Sequence, residues 1–143
     1  MAGTIVVGVD GSGTARKAAE VARDLAAALG AGLHVVSAFD TDRTEVFGSG
    51  SDRWIVSSAD DAEKVARDVA TALAGGDFEI TYSSARGKPA EALVREADRL
   101  EASMIVVGNR RMQGLGRVLG SVANSVAHSA SCDVYIANTY GAD

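Results

Sequence analysis

Three times this chain runs through a near-continuous stretch of apolar β-formers and then, without transition, meets an aspartate or a glycine. Thr4 to Val9 (TIVVGV) ends at Asp10, Leu33 to Phe39 (LHVVSAF) ends at Asp40, and Met104 to Val107 (MIVV) ends at Gly108. Runs with so little polar alternation suit strands covered on both faces, which is the situation inside a parallel sheet. The segments between them change period. Ala18, Val21, Ala22, Leu25, Ala26 and Leu29 recur at steps of three and four, as do Ala62, Val65, Ala66, Val69, Ala70 and Leu73, so helices are expected over Ala15 to Leu29 and Ser58 to Ala74.

Two further strands and two further helices complete the pattern. Phe78 to Ser83 (FEITYS) alternates strictly, with Phe78, Ile80 and Tyr82 on one face, and a strand solvated on one side belongs at or near a sheet edge. Pro89 stands where a third helix starts, its favoured first-turn position, and Ala92, Leu93, Glu96, Ala97 and Leu100 carry that helix back to Met104. A fourth helix is expected over Val118 to Ser129 and a last strand over Val134 to Ala137. Five strands alternating with four helices predict an α/β fold, a five-stranded parallel sheet with helices on both faces. In such sheets ligands bind beyond the carboxyl ends of the strands, where the strand order reverses. Asp10, Asp40 and Gly108 then line one rim.

The stretch from Met104 to Val122 (MIVVGNRRMQGLGRVLGSV) carries the strongest chemical signal. A buried strand gives way to four glycines (Gly108, Gly114, Gly116, Gly120) and three arginines (Arg110, Arg111, Arg117), and Ser121 opens a helix. A strand, a glycine-rich basic loop and a helix N-terminus together form an arrangement that holds phosphate, because main-chain N–H groups and the positive helix end converge. The charge distribution agrees. The chain is acidic, with 19 Asp and Glu against 14 Lys and Arg, yet no carboxylate side chain occurs from Ala102 to Cys132. Keeping carboxylates out of that window avoids repelling an anion.

Bulk properties narrow the class. A chain of 143 residues is expected to form a single domain, and 47% hydrophobic with 23% charged residues is a soluble globular composition. Cys132 is the sole cysteine, which excludes an internal disulfide framework and fits a reducing cytoplasm. No apolar run reaches membrane-spanning length, nothing resembles a signal peptide, and a net charge of -5 argues against nucleic-acid binding. His34 is read as a strand residue near the surface rather than a metal ligand, since no second His, Asp or Cys stands at ligand spacing. Asp40 to Trp54, with Gly48-Ser49-Gly50-Ser51 at its centre, reads as a loop, and Trp54 as packing on the domain or covering a ligand.

With these residues assembled, the chain resembles a universal stress protein of the UspA type along nearly its whole length. The matching stretches are IVVGVDGS with Asp10, the SAFD closing the second strand, GKPAEAL after the third strand, and VVGNRRMQGLGRVLGSV. ATP-binding members of that family carry Gly, two residues, Gly, nine residues, then Gly-Ser. Gly108, Gly120 and Ser121 match; Arg111 stands at the second glycine, and eight residues rather than nine precede Gly120. A left-handed backbone at a non-glycine residue costs roughly 1–2 kcal/mol. A guanidinium-phosphate hydrogen bond returns about 1.5–3 kcal/mol, so the substitution is compatible with binding.

The resemblance implies a flavodoxin-like sheet of order 3-2-1-4-5 and a homodimer formed through the final strand. It implies ATP as ligand, with or without Mg2+, held by Val9, Asp10, Ala38, Gly108, Arg110, Arg111, Gly120, Ser121 and Val122. In that scheme Asp10 accepts the ribose hydroxyls and main-chain groups around Ala38 read the adenine edge. Gly108 lets the sugar approach, Gly120, Ser121 and the Val122 N–H hold the phosphates, and Arg110 supplies counter-charge.

Other classes fit less well. An NAD-dependent enzyme would need a third glycine where Arg16 follows Gly11-Ser12-Gly13. A phospho-accepting receiver domain needs an aspartate where Ser83-Ser84-Ala85-Arg86 closes the third strand, and a P-loop ATPase needs a Gly-Lys-Ser/Thr element that is absent. The alternatives that stay open are a dimeric module of the same fold that binds no ATP, or one that prefers cyclic AMP. Turnover is not expected, because no His, Lys or Glu in the glycine loop is available to orient an attacking water.

Overall fold

A computed structural model of the protein describes residues 3–40, 51–109 and 120–139, residues 51–58 by their backbone alone. The elements in chain order are β1 (Thr4–Gly8), α1 (Gly13–Leu29), β2 (Gly32–Phe39), α2 (Ser51–Leu73), β3 (Ile80–Arg86), α3 (Pro89–Arg99), β4 (Met104–Gly108), α4 (Ser121–Ser129) and β5 (Asp133–Ala137). The five strands form one parallel sheet in the order β3-β2-β1-β4-β5. The predicted α/β fold and the strand order implied by the family resemblance are both observed.

The sheet is covered on both faces, which explains the unbroken apolar runs. Ile5, Val7, Leu33, Val35 and Val106 point to one face and pack with Ala18, Ala22 and Ala26 of α1 and Ala66, Val69 and Leu73 of α2. Val6, Val36, Ile105 and Val107 point to the other and meet Ala92, Leu93 and Ala97 of α3 with Ala123 and Val126 of α4. Alternate residues of one strand therefore serve two separate cores.

Four expectations need correction. The loop expected over Asp40 to Trp54 is shorter, because α2 begins at Ser51 rather than Ser58. In the sequence the apolar spacing 62-66-69-73 continues back through Ala59 to Ile55. The rest of that loop, and the side chain of Trp54, lie outside the described residues.

The third strand runs Ile80–Arg86, not Phe78 to Ser83. Its register with β2, from Leu33↔Ile80 to Phe39↔Arg86, is set by main-chain pairing along the whole of β2. Phe78 and Ile80 pack against the core of α1 and α2, whereas Tyr82 is exposed, so the strict alternation does not track burial. The edge position of β3 is as expected.

The fourth helix begins at Ser121, not Val118, because Gly120 is extended (φ -64, ψ 158) and acts as its N-cap. His34 is buried, at 4% exposure, rather than near the surface. Its Nδ1 lies 2.6 Å from Thr81 Oγ1 and its Nε2 2.8 Å from Ser83 Oγ, two hydroxyls of the neighbouring strand. Ser83 Oγ in turn donates to Glu96 Oε1 at 3.4 Å, and Arg99 Nε donates to Glu96 Oε2 at 2.6 Å. That order of donors gives Ser83 the Nε2–H and Thr81 the role of donor to Nδ1. Burial pushes the imidazole below its usual pKa, with Glu96 opposing and Arg99 adding to the shift.

Candidate functional site

The strand order reverses between β1 and β4, and a cavity of about 440 Å³ opens there at the carboxyl ends of the strands. A volume of this size falls within the ~300–1,000 Å³ typical of small-molecule sites. Of the expected site residues, Val9, Asp10, Ala38, Gly108, Gly120, Ser121 and Val122 all line it. Arg110 and Arg111 lie outside the described residues, as does the remainder of the glycine loop up to residue 119.

The geometry of the wall at the end of β2 follows from strand length. β1 and β2 pair only as far as Gly8↔Val36, with a last bond from Val9 N–H to Val36 C=O at 2.8 Å, while β2 runs on to Phe39 beside β3. Main-chain groups of successive strand residues face opposite neighbours. Leu33 and Phe39 bond toward the β3 side and Val36 toward β1, so the N–H and C=O of Ala38 face the β1 side after β1 has turned away. No backbone bond to Ala38 on that side is found among the described residues. An adjacent donor and acceptor thus border the cavity.

Asp10 follows the last residue that bonds in strand fashion. Its Oδ1 accepts the Ser12 N–H at 3.0 Å, and Ser12 Oγ accepts the Ala15 N–H at 3.1 Å, capping α1. This pair of local bonds turns the chain sharply from β1 into α1 and fixes the carboxylate at the rim. Asp10 is the one acidic side chain among the described cavity-lining residues.

The helix ends around the cavity favour an anion. In a parallel sheet each helix after a strand starts at the carboxyl edge, and the first turns of α1 (Thr14, Ala15), α3 (Pro89) and α4 (Ser121, Val122) all border this cavity. Three positive helix ends therefore converge. α1 and α4 carry no acidic residue in the first turn, whereas α3 carries Glu91, and among the described residues no side chain caps α4. Uncapped N–H groups at a helix start are donors available to solvent or a ligand.

The structure also shows residues that sequence reasoning overlooked. Thr14, Pro89 and Leu93 line the cavity although they read as parts of helices. The positions of Thr14 and Pro89 were available in principle, since a residue in the first turn of a helix that follows a parallel strand stands at the ligand-binding edge. Gly108 has a packing role besides any ligand approach. A Cβ there would stand 3.1 Å from Thr139 Cγ2 and 3.7 Å from Thr14 Cγ2.

Comparison with known proteins accords with this arrangement. The family model described as the Universal stress protein family matches residues 1–138. A universal stress protein of Thermus aquaticus is 35% identical over 134 residues, covering 93% of this chain and 96% of the relative. A crystal structure of a universal stress protein in complex with cAMP is 33% identical, with a TM-score of 0.68 and coverage of 96% of this chain and 97% of that one. UspA of Lactobacillus plantarum shares the fold at a TM-score of 0.77, with 23% identity and coverage of 94% and 96%. Sheet order, helix placement and these likenesses agree: the chain belongs to the universal stress protein family.

Proposed function

We propose that this protein binds an adenine nucleotide, ATP, in the cavity at the ends of β1, β2 and β4, and uses occupancy as a signal. The observation that carries the reading is the division of the cavity wall. On one side the Ala38 N–H and C=O present a donor beside an acceptor, the complement of an adenine edge with its ring nitrogen and amino group. Asp10 offers a fixed acceptor for sugar hydroxyls. On the other side the uncapped start of α4, at Gly120, Ser121 and Val122, offers main-chain donors to phosphate. Arg110 and Arg111 add counter-charge in this scheme, and Mg2+ arrives bound to the phosphates.

Binding, rather than turnover, is the activity proposed. The reading assigns Asp10 to the ribose and gives no residue the task of orienting a hydrolytic water. A second reading, cyclic AMP as the preferred ligand, is favoured by the cAMP complex of a 33% identical relative. A homodimer through β5 accompanies either reading, since Tyr135 and Ile136 leave this edge strand exposed and apolar on both faces.

Calorimetric titration with ATP, ADP, cyclic AMP and NAD separates these ligands. The decisive variant is Gly120→Leu. Its backbone is extended, not left-handed, so a side chain adds no backbone strain, and the residue lines the cavity. ATP affinity should fall at least tenfold, beyond the modest loss of stability that a leucine at an N-cap brings, and undiminished affinity would remove the phosphates from this helix end.

A further inference from the structure

The chain that leaves β5 is tied to the chain that leaves β4 by a contact outside the cavity wall. Asn109 Oδ1 accepts both the Thr139 N–H, at 2.8 Å, and the Thr139 Oγ1–H, at 3.1 Å. Asn109 Nδ2 also reaches Asn138 Oδ1 at 3.4 Å. Thr139 is buried to 1% exposure, and its methyl sits where a side chain on Gly108 would have to go. Gly108 in turn stands against Thr14, and both of these residues line the cavity. A short contiguous path therefore runs from Asn109 through Thr139 and Gly108 to Thr14.

We infer that Asn109 is a positioning residue for the nucleotide site: by holding Thr139 in place it fixes the end of β4 and the cavity wall that Gly108 and Thr14 form. This rests on the nucleotide reading of the cavity. The physical argument is that one side-chain oxygen does the work of a missing sheet bond. Among the described residues β4 and β5 pair as far as Gly108↔Ala137. Asn109 and Thr139 stand just past it and replace the ladder with a two-donor clamp on one acceptor. Opening the clamp removes two of the bonds that hold Thr139 in its buried niche, and Gly108 then packs against a less firmly held neighbour. Sites held loosely by their supporting contacts lose affinity even when every ligand-touching group remains.

The test uses the full chain with adenosine and ATP as calorimetric probes, and a thermal melt of each variant. Asn109→Ala should weaken adenosine by about tenfold, within the range usual for coupling between a site and a contact outside it. Asn109→Asp keeps an acceptor oxygen for both Thr139 donors, and adenosine carries no charge for the new carboxylate to repel. That variant should bind adenosine as the wild type does. Thr139→Val keeps the N–H bond and the methyl against Gly108 but loses the hydroxyl donor, so a smaller loss, about threefold, is expected. Leu73→Ala removes a buried side chain at the far end of α2, at 3% exposure, and should lower the melting temperature without changing affinity.

Amide exchange at Thr139 reads the clamp itself, and its protection should fall in Asn109→Ala. Wild-type affinity in Asn109→Ala, failure of Asn109→Asp to restore binding, or an equal loss in Leu73→Ala would each overturn the positioning role. A wild-type protein that binds neither probe is a different result: it removes the nucleotide reading, and this inference with it.

Discussion

Gly8 ends β1 beneath α3, and a Cβ placed there would stand 2.9 Å from both methyl carbons of Leu93 and 3.2 Å from its Cγ. Gly8→Ala therefore forces Leu93 to move, and Leu93 is 4% exposed in the core of α3 and α4 while lining the cavity. Overpacking of this kind costs about 1–3 kcal/mol. The loss is reduced by ~0.4–1 kcal/mol, because alanine restricts the unfolded chain. The expected net destabilisation is about 1–2 kcal/mol. Leu93→Ala alone should cost roughly 2–3 kcal/mol, the lower part of the range for buried leucines, since one side of the residue borders a cavity rather than packed atoms.

The double variant Gly8→Ala with Leu93→Ala then decides the matter. The methyl at position 8 now enters space that Leu93 has vacated, so the two losses should fail to add by at least ~0.5 kcal/mol. Urea unfolding of the wild type, both single variants and the double variant, followed by circular dichroism at one pH, measures the cycle. Additivity within ~0.3–0.5 kcal/mol would refute the claim that Leu93 is what makes glycine necessary at this position. Adenosine titration of Gly8→Ala adds a functional arm: a leucine displaced toward the cavity should lower affinity, and Leu93→Ala in the same background should recover part of it.

Other consequences can be checked as directly. Because burial holds the His34 pKa below 6.5, the unfolded chain binds the proton first on acidification; the stability that neutral His34 contributes is complete above about pH 6.5 and is lost as pH falls toward the folded value. The urea midpoint should therefore drop more steeply between about pH 7.5 and 5.5 in the wild type than in His34→Gln, and equal slopes would clear His34 of the effect. Ile136→Lys, at an exposed edge position, should leave folding within about 0.5 kcal/mol of wild type. It should convert dimer to monomer in sedimentation velocity, and a persistent dimer would place the seam elsewhere. Phosphate release from ATP should stay at the uncatalysed background in a coupled assay, and sustained turnover sensitive to Asp10→Asn would give the cavity a catalytic role.

Much of the sheet was legible because its strands are buried on both faces. TIVVG and MIVVG have no polar side to hide, and their shortness, β-branched residues and flanking glycines favour a strand over a buried helix segment. β3 was legible only in part. Its second half, Ser83-Ser84-Ala85-Arg86, has no hydrophobic pattern, and it is a strand because β2 lies beside it with main-chain groups to pair. His34 was misjudged for a related reason. Its partners Thr81 and Ser83 are 47 and 49 residues away, so nothing local signals that a histidine there can be buried and satisfied.

The cavity shows the same division. Asp10, Gly108 and Ser121 stood out because each marks a strand end or a helix start, where side chain and backbone chemistry are visible in the residue itself. Ala38 came from resemblance alone, and only the unequal lengths of β1 and β2 give its main chain a reason to be there. Asn109 and Thr139 could not be paired in advance, since their contact spans 30 residues and joins two segments that look like ordinary strand exits.

The convergence of three helix beginnings on one cavity has a consequence for how the protein meets changing surroundings. Their field is generated by peptide units, which neither gain nor lose protons anywhere in the physiological range. That part of the holder does not respond to acidity, whereas the imidazole wedged between β2 and β3, which takes up a proton as pH falls, belongs to the scaffold. Acid would then reach this part of the frame without altering the pull of the helix ends.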